Sequence, residues 1–222
     1  MDLGTQATGV AALADPTRRA LYEYVVSRPE PVGREEAASA VGLAQHTANF
    51  HLDRLVESGL LEAEFRRLTG RTGPGAGRPS KLYRRADREW VVSLPERSYD
   101  LVGAILASGI ERARSGPAPL EEAIDEAATA AGRAIGEAAA PGDLNRFTEV
   151  LAGQGYEPRL EDDTVLLANC PFDALARTHT ALVCGLNRAF VQGVADGLGC
   201  GGLHAQLEPE PGHCCVKARR EP

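Results

Sequence analysis

The sequence predicts an α+β protein in two parts, and three observations carry that reading. Within the first 97 residues, two helical periodicities separated by a tight turn are followed by a basic hairpin. A further amphipathic helix then leads into helices alternating with pairs of short strands. All five cysteines, at 170, 184, 200, 214 and 215, fall in the last quarter of the 222 residues. That length suits two domains of ordinary size, and the expected division is 1–97 and 98–222. With 43% hydrophobic and 25% charged residues the chain can bury a core. It has no long apolar run and no leader pattern at its start, so a cytoplasmic protein without a membrane partner is expected.

The first helix is expected to begin near Pro16, where Asp15-Pro16-Thr17 supplies a cap and a first-turn proline, with Leu13, Leu21, Tyr24 and Val25 at helical spacing. After a turn at 28–31, the segment 34–41 has the length of two helical turns and stops at Gly42. Segment 43–61 carries Ala48, Leu52, Leu55 and Val56 on one stripe and ends at Ser58-Gly59, where glycine can close a helix in the left-handed conformation. Two short helices around a tight turn form a helix-turn-helix. Alternating residues at 60–66 and again at 81–85 read as antiparallel strands, joined by the glycine- and proline-rich TGRTGPGAGRPS. A hairpin after a helix-turn-helix makes a winged helix.

Beyond residue 97, segments 99–114 and 120–139 are helical by pattern, split by Ser115-Gly116-Pro117. Leu101, Ile105, Leu106 and Ile110 form a stripe that suits either core or the seam of a homodimer. A helix at 143–154 follows, then strands at 157–162 and 164–168. A long helix at 174–198, weakest at 179–181, and strands at 203–207 and 213–218 complete an α+β layer.

The net charge of −7 argues against nucleic acid only until it is divided. Residues 1–97 carry 14 basic and 13 acidic side chains, whereas residues 98–222 carry 10 and 18. Over residues 66–88, eight arginines and lysines face Asp87 alone, a local footprint of the kind that phosphate backbones select.

DPTRRALYEYV, HTANFHLDRLVESGLL and GRPSKLYR, in that order, resemble the opening helix, recognition helix and wing of the ArsR-like winged-helix bacterial regulators, over about residues 10–90. Leu43-Ala44 departs from their usual Ser or Thr ahead of the recognition helix, a lost cap worth about 1 kcal/mol. The resemblance implies a homodimer on double-stranded operator DNA and favours segment 99–114 as a dimerisation helix. On the recognition helix Gln45, His46, Thr47 and Asn49, with His51 and Arg54 a turn later, are the polar residues available to DNA. Gln and Asn can pair with adenine, and Thr can touch a thymine methyl. Arg71, Arg78 and Lys81 of the wing are the candidate phosphate or minor-groove contacts.

The cysteine spacings leave 13 residues between Cys170 and Cys184 and 15 between Cys184 and Cys200, followed by 13 or 14 to Cys214 or Cys215. None is the close pair of a zinc ribbon, so a shared site needs separate elements to bring the thiols together. Cys214 and Cys215 are expected in the last strand, where alternation lets only one of them face such a site.

NCPFDALARTHTALVCGLN and GHCCVKA resemble segments of the iron-sulfur-sensing repressors of the Suf cluster-assembly operon, over most of the chain. That likeness implies a repressor whose cluster, of the 4Fe–4S type, is held by Cys170, Cys184 and one of Cys214 or Cys215, with Cys200 the doubtful ligand. Without Cys200, the fourth position falls to His213, His179, a carboxylate or an exogenous thiol. Zinc, metal-free thiol oxidation, an organic effector or partner protein, and purely structural cysteines are the alternatives. A cysteine nucleophile with His179 as base has no supporting local signature, and no enzyme is expected.

Overall fold

The computed structural model describes residues 3–67 and 79–220 and divides into two compact units, Met1–Val92 and Ser93–Pro222. In the first unit, helices α1 (Leu3–Ala12), α2 (Pro16–Val26), α3 (Arg34–Val41) and α4 (Gln45–Glu57) surround a three-stranded sheet of β1 (Val32–Gly33), β2 (Leu61–Arg66) and β3 (Ser80–Arg85). Asp15 caps α2 by accepting from the Arg18 backbone N–H at 2.9 Å. Gly42 closes α3 in the left-handed region at φ 71°, which turns the chain directly into α4. Ala44 precedes α4 without a side-chain cap, and its carbonyl alone accepts from Thr47 and Ala48.

The sequence stripe of α4 is confirmed: Ala48, Leu52 and Leu55 are fully buried against Leu21 and Val25 of α2 and Ala37 and Ala38 of α3. The hairpin pairs Leu61 with Arg85 through to Arg66 with Ser80. Two elements escaped the sequence reading. Helix α1 occupies a stretch with no distinct amphipathic signal, and β1, only two residues long, pairs with Leu82 and Tyr83 just after the expected turn, where no strand was expected.

The second unit runs α5 (Tyr99–Ser115), α6 (Leu120–Ala138), α7 (Leu144–Ala152), β4 (Pro158–Glu161), β5 (Thr164–Leu167), α8 (Asp173–Thr178), α9 (Thr180–Gly197), β6 (Leu203–Leu207) and β7 (Val216–Arg220). The sheet order is β4-β5-β7-β6, antiparallel throughout. Its core joins Phe147, Phe172, Leu186, Phe190, Val194 and Val216. The expected long helix is interrupted at His179, which takes φ −129° and ψ 49°. Two β-branched threonines flank it, and the Thr180 hydroxyl bonds back to the Ala176 carbonyl at 2.7 Å, so side-chain bonding competes with the helical ladder.

Helices α6 and α9 cross with their backbones almost touching. A Cβ placed on Gly132 would lie 2.1 Å from the Phe190 carbonyl oxygen, and one on Gly193 would lie 2.2 Å from that of Thr129. On α5 the buried residues are Val102, Ile105 and Gly109; of the expected stripe Ile105 is buried and Leu101 and Leu106 pack half-buried against the core, while Gly109 lets the Ile124 backbone of α6 approach. Ile110 is left outside, together with Tyr99. No helix among the described residues is long and apolar enough to cross a membrane.

Candidate functional site

Helix α4 turns its core stripe inward and leaves Gln45, His46, Phe50 and Arg54 exposed, with Thr47, Asn49 and His51 half-buried on its flanks. Gln45 donates to Glu35 at 3.4 Å. The Asn49 side-chain oxygen and the His51 Nδ1 are enclosed, without hydrogen-bond partners among the described residues. The exposed line His46, Phe50, Arg54 was not anticipated in full, since an apolar Phe carries no polar signal.

The wing is tied to this helix. Asp53 accepts from Lys81 Nζ at 2.6 Å and from the Tyr83 hydroxyl at 2.8 Å, and Arg34 Nε donates to that hydroxyl at 3.2 Å. Burial alone would raise the Asp53 pKa, but these two hydrogen bonds and the Lys81 charge hold it below its usual value. Lys81, expected as a DNA contact, thus has a carboxylate partner already. Arg71 and Arg78 lie outside the described residues. The linear charge count also overlooked the facing strand: Glu62 sits in register with Arg84 at 2.7 Å, and Glu64 binds Arg66 at 2.6 Å. Pairing across the hairpin narrows the basic footprint, and exposed ion pairs of this kind contribute little stability.

Four of the five thiols come together in the second unit. Cys170 pairs by a side-chain hydrogen bond with Cys214, and Cys184 with Cys215; Cys184 also feels the Cys170 charge, and Cys214 that of Cys215. The expectation that strand alternation admits only one of Cys214 and Cys215 is corrected. Both precede β7, in an irregular stretch where alternation does not hold. There the Cys214 N–H donates to the Leu167 carbonyl at the end of β5, and the Cys215 carbonyl accepts from Glu208 beyond β6. One residue is thus tied toward each neighbouring strand.

Cys170 sits in the loop after β5, which Arg97 secures by donating to the Asn169 side-chain oxygen at 2.5 Å and to the Cys170 carbonyl at 3.1 Å. Within the Cys170–Cys214 pair the charge belongs on Cys170. The Cys214 hydrogen bond lowers its pKa most, aided by the Phe172 backbone N–H and by Arg97, while the same pairing and burial push the Cys214 thiol up. Burial, with Cys215 beside it, pushes Cys184 up to about 12.

Cys200 stands apart. It is buried, and its thiol donates to the Gly142 carbonyl at 3.3 Å. His179 is exposed at the α8–α9 break, whereas His213, next to Cys214, has an enclosed Nδ1 without a partner among the described residues. Among those residues no group of three or more His, Cys, Asp and Glu side chains is disposed to hold a single metal ion.

A buried polar chain supports the thiols from behind: the Tyr156 hydroxyl donates to Asn187 Oδ1 at 2.5 Å, and Asn187 Nδ2 donates to Cys214 Sγ at 3.3 Å. Replacing Asn187, which is 1% exposed, strands the tyrosine hydroxyl in the core. Asn187→Leu is therefore expected to cost about 1–3 kcal/mol, read as a lower denaturant midpoint, with Asn187→Leu/Tyr156→Phe recovering part of the loss. Equal midpoints for wild type and Asn187→Leu would show that the chain contributes nothing.

Residues 13–64 match a family described as a helix-turn-helix domain, the stretch from the end of α1 to the middle of β2. No curated protein and no solved structure matches the chain. The helix-turn-helix match supports a DNA-binding regulator.

Proposed function

We propose that the chain is a transcriptional regulator, acting as a homodimeric repressor on double-stranded operator DNA in the cytoplasm, whose DNA affinity is set by an iron-sulfur cluster in the second unit. The observation that carries this reading is the convergence of Cys170, Cys184, Cys214 and Cys215 from a loop, a helix and a strand entry. Four thiols fit the donor set of such a cluster, so neither Cys200 nor a histidine is needed as a ligand. A single zinc ion would require all four sulfurs about 2.3 Å from one point. The two-pair arrangement suits ligands on separate iron atoms better.

Bound there, a cluster supplies a linkage sensitive to iron supply and oxidation. The chain's own residues do the rest. Arg97 and Asn169 hold the Cys170 loop, Asn187 orients Cys214, and the short segment from Ser93 leads from the first unit into α5. The exposed apolar positions Tyr99 and Ile110 on α5 support that helix as the subunit seam.

Anaerobic purification of the full chain, followed by iron and acid-labile sulfide analysis, tests the cluster. A brown protein absorbing near about 400 nm, with iron and sulfide in similar amounts, is the expected result. A colourless protein containing only zinc or no metal overturns it. The pairing itself favours a second reading, a metal-free thiol switch; mass analysis without reductant would then show Cys170–Cys214 and Cys184–Cys215 disulfides in active protein.

A further inference from the structure

The recognition helix shows solvent an aromatic ring that packing in its own unit does not require. Phe50 is 58% exposed, in line with His46 one turn earlier and Arg54 one turn later, while Ala48, Leu52 and Leu55 already fill the core on the opposite face. The Arg54 guanidinium carbon lies 5.6 Å from the ring centroid. The neighbouring His51 ring meets it edge-on at 5.3 Å. These contacts limit the ring's freedom without covering it. An exposed phenyl group gains nothing for folding, and on this face it takes a position that a charged side chain could use for phosphate.

The DNA major groove offers one prominent apolar group, the C5-methyl of thymine, and an aromatic ring is among the side chains that contact it. The residues most directed toward base edges lie in the first part of a recognition helix, where Phe50 is the sixth residue of α4. We propose that Phe50 is a specificity-determining residue that packs against a thymine methyl in the operator, held in place by Arg54. This rests on the DNA-binding reading above and adds to it which side chain senses the base and by what chemistry.

The test uses the full chain and a duplex enriched from a random pool by the protein itself. Each thymine in the selected duplex is replaced singly by deoxyuridine, which pairs identically but lacks the methyl group. At one or two positions the replacement is expected to weaken wild-type binding about three- to tenfold, the scale of one buried methyl or slightly more. Phe50→Ala should lose a similar factor on the thymine duplex and no longer distinguish thymine from uracil there, while Phe50→Leu keeps part of the preference. Because the ring is exposed, both variants should melt like wild type. Wild-type binding unchanged at every uracil position, or a Phe50→Ala protein that still discriminates, overturns the proposal. So does a Phe50→Ala protein that changes its oligomeric state while keeping the thymine preference, since the ring then serves a protein contact. Failure to enrich any duplex would instead overturn the DNA-binding reading itself.

Discussion

Gly132→Val is expected to unfold the second unit at temperatures where the wild-type chain is intact. The Cβ of any residue at this position would stand 2.1 Å from the Phe190 carbonyl oxygen and 2.9 Å from the Val194 backbone nitrogen, well inside van der Waals contact. These are backbone atoms of a helix, so no rotamer change relieves the clash and α6 must move away from α9. Gly136, Gly193 and Gly197 form the other close approaches of the same crossing. A shift at one of them opens them all and separates the Ala127 and Ala128 layer from Phe190 and Val194. Overpacking of a well-filled core typically costs about 1–3 kcal/mol, and a backbone-to-backbone clash belongs in the tail near or above 4 kcal/mol. For a unit of this size that corresponds to a fall in melting temperature of about 10 °C or more. Gly193→Val should behave alike. Gly185→Ala, on the same α9 but with nothing within 4 Å of its added carbon, should be neutral or stabilising by up to about 1 kcal/mol. Equal melting of Gly132→Val and Gly185→Ala would show that the close crossing is not what holds the unit together.

That crossing also shows where sequence reasoning runs out. Glycines four residues apart read locally as weak helix positions, because propensity sees only their cost and not the partner helix that uses the space. Helices α2 and α4 were legible, since Asp15-Pro16, Gly42 and Ser58-Gly59 are local stop and start signals and the stripe Ala48, Leu52, Leu55 has one plain period. The hairpin was legible for the same reason. The site was legible in composition but not in geometry. Cysteines far apart in sequence could be expected to meet, yet the two pairings depend on Cys214 and Cys215 lying just outside β7, which starts at Val216 where 213 was expected. The Lys81–Asp53 contact joins residues 28 apart on different elements. It left no trace in a charge count that ran along the chain rather than across the sheet. Phe50 was passed over because apolar residues on a helix are ordinarily assigned to core, and only the burial of its opposite face shows that this one is not.

Cys170→Ser and Cys184→Ser are each expected to give a folded, colourless protein without iron that binds operator about 5- to 150-fold more weakly, the range of ordinary allosteric coupling. The magnitude follows from where these residues are anchored. The Cys170 loop is bonded to Arg97, and the adjacent Pro171 carbonyl accepts from the Ser98 N–H at 3.2 Å, while the Ser98 hydroxyl donates to the Gln154 carbonyl at 2.9 Å. Arg97 and Ser98 immediately precede α5, so a change in the Cys170 loop is felt at the start of the proposed subunit seam. In a dimer on DNA the two recognition helices must lie about 34–36 Å apart to enter successive major grooves, and a small tilt at that seam changes the separation. Cys184, in the second turn of α9, fastens the helical layer to Cys215 at the entry to β7, so its loss frees the stretch whose Cys214 pairs with Cys170. Cys200→Ser supplies the control. Its hydroxyl can still donate to the Gly142 carbonyl, and its distance from the paired thiols predicts retained iron and retained affinity. Arg97→Met should keep iron but lose part of the affinity difference between iron-loaded and iron-free protein, a result that mere ligand loss cannot produce. If Cys170→Ser and Cys184→Ser keep wild-type iron, the paired thiols are not the ligands. If they lose iron yet bind operator as tightly as wild type, the second unit holds a cluster that does not govern DNA binding.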